Sequence, residues 1–96
     1  MLELRSNCEL CDVDLPPVSA DAHICNYECT YCATRVDGVL HNVCPNCGGG
    51  FVPRLIRPQR ALLRDPAGTE RRHTKLSLDE IKARSAPARD IDPAVR

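Results

Sequence analysis

Seven cysteines fall between Cys8 and Cys47, and six of them form three Cys-x2-Cys units: Cys8/Cys11, Cys29/Cys32 and Cys44/Cys47. That spacing lets two thiolates of one tight turn take adjacent vertices of a tetrahedron while backbone amides point at the sulfurs. Pro45 stiffens the last turn, and Gly48 is free to take the positive φ that such a turn requires. Three such units in so short a span point to metal binding.

The rest of the chain explains why metal is needed. Of its 96 residues only Tyr27, Tyr31 and Phe51 are aromatic, and nothing from Pro53 onward is Cys or aromatic. A segment this small and poor in large apolar side chains buries too little surface to offset its chain entropy, so it depends on disulfides or metal. Seven thiols cannot all pair. Leu2-Glu3-Leu4-Arg5 lacks the form of a secretory signal, and no apolar run approaches a membrane span. The expectation is a cytoplasmic protein with reduced thiols on metal and no membrane association.

Counting His23, eight ligand-capable residues fall in order: Cys8, Cys11, His23, Cys25, Cys29, Cys32, Cys44 and Cys47. Stretches of eleven residues separate Cys11 from His23 and Cys32 from Cys44. Pairs so arranged follow the RING-type order, in which first and third pairs hold one ion and second and fourth the other. One register places Cys8, Cys11, Cys29 and Cys32 at one ion and His23, Cys25, Cys44 and Cys47 at the other. A second places Cys25, Cys29, Cys44 and Cys47 together and leaves Cys8, Cys11 and Cys32 without a fourth ligand, to be completed by His23 or His41 or left open at Arg35. A single-zinc ribbon on Cys8, Cys11, Cys44 and Cys47 is the simpler alternative. Zinc, as two ions with one site incomplete in the second register, is preferred over iron.

The fold expected is a small metal-stabilised α+β domain over residues 1–57, a RING-like cross-braced double-zinc module with little regular structure. Residues 58–96 read as a basic, largely disordered tail. Leu2–Leu4 and Ala22–Cys25 suit short strands, Ala33–Leu40 a helical turn or two, and Phe51–Ile56 an edge strand or extended arm around Pro53. Pro58–Arg72 reads as linker. Ser77-Leu78-Asp79-Glu80 is a capping box, opening a short helix near 77–85 that Pro87 ends.

Charge divides with the chain. Residues 1–52 carry two basic and seven acidic side chains, whereas residues 53–96 carry eleven basic and six acidic. The expected function is therefore a structural zinc module that engages a protein partner through an acidic head and a basic arm. The alternatives are nucleic-acid binding through Arg54, Arg57, Arg60, Arg64, Arg71 and Arg72, or labile zinc handling. No His-x-Glu precedes the last knuckle and no His-Glu-x-x-His occurs, so no catalytic residues are assigned and an enzyme is not expected.

Leu-Glu-Leu-Arg-Ser-Asn-Cys-Glu-Leu-Cys, Asp-Leu-Pro-Pro, Cys-Asn-Tyr-Glu-Cys-Thr-Tyr-Cys-Ala and Asn-Val-Cys-Pro-Asn-Cys-Gly-Gly-Gly resemble the small bacterial proteins of domain of unknown function 1272. The resemblance runs from about Leu2 to Pro58. It implies a Cys-rich metal-binding fold and adds little about function. It also implies a further Cys where this chain has Arg35, which favours the second register.

Overall fold

The computed structural model describes residues 1–96, and its regular structure is sparse because turns, not hydrophobic period, set the chain's course. Strand β1 (Ala22–Ile24) pairs antiparallel with β2 (Thr30–Cys32) on one side and with β3 (Val52–Pro53) on the other, giving the order β2-β1-β3. The five residues between β1 and β2 close a tight turn, with the Glu28 amide on the Cys25 carbonyl and Glu28 itself at φ 66°. Pro53 sits on the outer strand, where its missing N–H costs nothing.

Helix α1 (Ala33–Arg35) leaves β2 directly and widens into a π-helical turn over Val36–Leu40. Val36 and Leu40 point inward, and the turn ends at His41 in the left-handed region. The segment Leu2–Leu4, expected as a strand, is irregular, although Leu4 is buried. The local pairing is instead an isolated bridge between Asn7 and Asp14.

The core holds eleven buried residues, and five of them are Cys8, Cys25, Cys29, Cys32 and Cys44. Hydrophobic packing and the candidate metal ligands therefore occupy the same place. Tyr31 packs edge-on to Phe51, with ring centroids 5.5 Å apart, so two of the three aromatics are used in one contact.

The chain beyond residue 57 is not the disordered tail that its composition suggested. Helix α2 (Gln59–Arg64) follows Pro58 within the expected linker, made of good helix formers. Helix α3 (Leu78–Ser85) opens on the capping box read from the sequence, the Glu80 amide donating to Ser77 Oγ. Ile81, 1% exposed, is part of the cysteine core. Ser85 Oγ donates to the Leu40 carbonyl at 2.9 Å, supplying a partner for a carbonyl at the end of the π turn.

Between these helices, residues 70–74 form a strap across the first knuckle. Buried Asn7 donates to the Arg72 carbonyl at 2.7 Å and accepts from the Arg72 amide at 3.1 Å, while the Thr74 amide donates to the Glu9 carbonyl. Arg71 pairs with Asp12 and Asp14, and Arg72 with Glu3. The opposite charges of the two halves thus meet inside one molecule. Buried Arg54 has no carboxylate partner; it donates to the carbonyls of Arg5, Leu15 and Pro16, and burial draws its pKa down.

Candidate metal centre

The outer knuckles share one backbone geometry. In the first, the Asp12 amide donates to the Cys8 carbonyl and the Cys8 amide to that of Val13, each at 2.9 Å. In the last, Gly48 and Cys44 repeat both bonds at 2.8 Å, with Gly49 in place of Val13. The residue after the second cysteine is left-handed in both, at φ 65° for Asp12 and 79° for Gly48. Asp12 is held there by Arg71 and by the Asn7 amide at its carboxylate. Gly48 has no such support, and a β-carbon there meets nothing within 4 Å. Gly48→Ala is therefore expected to cost about 1 kcal/mol from left-handed strain alone, read as earlier metal loss in a chelator titration.

These turns aim amides at sulfur. The Cys11 amide faces Cys8 Sγ at 3.5 Å, Tyr27 faces Cys25 Sγ at 3.3 Å, and Gly49 faces Cys47 Sγ at 3.4 Å. Such bonds stabilise thiolate and orient it.

Two groups of three result. Cys8, Cys11 and Cys32 have their sulfurs within 4.8 Å of one another, and so do Cys25, Cys44 and Cys47. Glu9 explains the first group. Its backbone amide pairs with the Thr30 carbonyl and its carboxylate, held by Arg5, accepts the Thr30 amide at 2.6 Å, which seats the knuckle beside β2. Cys32, two residues further along, then comes to 3.7 Å from Cys11. In the second group, Asn26 accepts from Cys47 Sγ, tying the β1–β2 turn to the last knuckle.

Cys29 lies outside the second triad but beside it. Its sulfur neighbours Cys44 and Cys25 and accepts from Asn46 Nδ2 at 3.4 Å. The structure does not bring Cys29 to Cys8 and Cys11, because the turn closed by the Cys25 amide on the Cys29 carbonyl folds it back toward Cys25. His23 is in neither group. It stands mid-strand between inward-facing Ala22 and Ile24, so the pleat turns it away, and its Nδ1 lies 3.3 Å from the Asp21 carbonyl. His41 is likewise in neither group. The first group has the membership that the second register gave it, and the second holds three of that register's four cysteines, Cys29 standing beside it; Arg35 shares a cleft with Cys11.

Burial and mutual contact shift five of the thiols. The Cys29 thiolate accepts from Cys44, which draws Cys29 down to about 5 and holds the Cys44 proton far above the usual thiol range. Burial pushes Cys25 up to about 11 and Cys32 up to about 12. Burial also opposes ionisation of Cys11, but the Val13 amide and the Arg35 guanidinium outweigh it. The donor set fits a thiophilic divalent ion with tetrahedral preference. At pH 7 the metal-free protein keeps protons on Cys25, Cys32 and Cys44, so loading both groups is expected to release at least three protons per chain. A pH indicator in weak buffer reads the release, and affinity should fall as pH falls.

Arginines beyond the core serve the same architecture: Arg84 donates to the Pro45 carbonyl, and Arg96 to those of Asn42 and Gly48. No helix is long and apolar enough to cross a membrane.

The family model for proteins of unknown function DUF1272 matches residues 1–60, the span that holds every cysteine. The chain is 55% identical over 71 residues to an uncharacterised protein of Rhizobium meliloti (strain 1021), covering 74% of this chain and 84% of that one. No solved structure matches it. The chain belongs to the DUF1272 family.

Proposed function

We propose that this protein is a structural double-zinc module, cross-braced in the RING-like manner, that presents a surface to a protein partner in the cytoplasm. The observation that carries the reading is the interleaving of the two cysteine groups. Residues 8 and 11 join 32 across 25, while 25 joins 44 and 47 across 32. The two closed loops overlap in sequence, so two ions together would pin the whole head. Cys29 is the natural fourth ligand of the second centre, given its neighbours.

Support for a partner surface comes from apolar side chains left outside around β3 and the Cys25–Cys29 turn. Tyr27 is 70% exposed, Val52 60% and Leu55 74%. Nucleic-acid binding is less favoured, because Arg54, Arg57, Arg71 and Arg72 are all engaged within the chain. Zinc handling keeps one specific argument, the missing fourth protein ligand at Cys8, Cys11 and Cys32. Chelator competition followed by two-dimensional amide NMR separates the two. A structural module loses its dispersed spectrum as zinc leaves; a handling protein gives up one zinc rapidly and keeps its fold.

A further inference from the structure

We propose that the metal centre at Cys8, Cys11 and Cys32 keeps its fourth coordination position open to solvent and fills it with a small anionic ligand paired to Arg35. The inference rests on the double-centre reading and goes beyond it by naming what the first centre takes. Three sulfurs gather there, and no His, Cys, Asp or Glu completes the group. Arg35 lies against Cys11 and cannot itself ligate, since its guanidinium has no free lone pair at accessible pH. A tetrahedral ion held by three thiolates needs one more donor, and the three-sulfur group itself supplies none.

The surroundings favour an anion over water alone. Cys11 and Arg35 line a cleft of about 460 Å³ together with Leu10, Leu76, Leu78 and His73. That is room for a ligand of several heavy atoms. Its apolar wall suits a carbon body, and Arg35 supplies the only cationic side chain among these residues whose charge is fixed. A divalent ion with three thiolates is formally −1; Arg35 offsets that charge, so an added anion is not repelled as it would be at a centre of four thiolates. The second centre differs, because Cys29 stands beside it.

His73 is the one competing donor on the cleft wall. Its Nδ1 lies 2.8 Å from the Thr74 carbonyl, which leaves Nε2 free. The test must separate a strap histidine from an exogenous ligand.

Full-length protein loaded with two cobalt(II) ions per chain is titrated with azide and, separately, with 2-mercaptoethanol, and visible spectra are recorded. One of the two cobalt centres should respond to at least one probe, with a shifted d–d envelope and, for the thiol, stronger sulfur-to-cobalt absorption. Arg35→Ala should keep that response at about tenfold weaker apparent affinity, the usual loss for one charge-assisted contact. Arg35→Cys should abolish it by closing the position. Two bound cobalts with no response to either probe overturn the proposal. So does a wild type that is silent while His73→Ala responds, which makes His73 the fourth ligand. Uptake of only one cobalt contradicts the double-centre reading itself, and is told apart by the metal count.

Discussion

Replacing Cys44 by serine is expected to unfold the head of the protein rather than merely weaken one site. Cys44 is buried in the shared core, its sulfur is grouped with those of Cys25 and Cys47, and its amide and carbonyl close the last knuckle. A structural zinc contributes about 10–16 kcal/mol of apparent folding energy in small domains. The whole stability of such a domain is only about 5–15 kcal/mol. With five cysteines among eleven core residues, no independent apolar core remains to hold the sheet. Amide NMR should collapse to a narrow band for Cys44→Ser at any zinc concentration that leaves wild type dispersed. A dispersed spectrum would mean that packing alone holds the head.

Ile81→Ala is expected to release the chain beyond residue 64 while the head keeps its metal. The docking of α3 rests on Ile81, on the Ser85 bond to Leu40 and on Arg84 at Pro45. Truncating a buried isoleucine costs about 2–5 kcal/mol. The Arg71 and Arg72 side chains are exposed, but Asn7 and Glu9 pin the strap's backbone, so trypsin cuts there when the strap opens locally. Where opening is fast relative to cleavage, that energy corresponds to a rise on the order of 10²-fold in cutting at Arg71, Arg72 and Lys75. An unchanged cleavage rate would show that α3 does not hold the strap.

What was legible in the sequence was chemistry fixed by neighbours a few residues apart. The outer Cys-x2-Cys turns, the left-handed Gly48, the capping box of Ser77 and Glu80, strand β1 and the turns after Cys32 obey local rules and are present, whereas the middle unit is not a ligand turn, since Cys32 joins Cys8 and Cys11 but Cys29 does not. Less was legible where a residue's fate depends on a distant surface. Ile81 reads as one of three apolar residues in a short, otherwise polar helix, and only packing against the distant cysteine core buries it. Arg54 and Arg57 read as candidates for nucleic-acid contact; in the structure they hold backbone carbonyls of the first seventeen residues. The charge contrast between the two halves was the available signal that the tail folds back on its head. His23 was placed by spacing to Cys25, but the strand that ends at Ile24 decides its direction, and that direction leads away from both groups.

The proposed double-zinc module has two interleaved sulfur-rich centres that hold the chain together. Native mass spectrometry of the full-length protein, with zinc-edge X-ray absorption on the same sample, tests it most directly. The account predicts two zincs per chain and a first shell dominated by sulfur, all seven thiols shared between two ions. One zinc per chain, or a folded metal-free protein with oxidised cysteines, would contradict it.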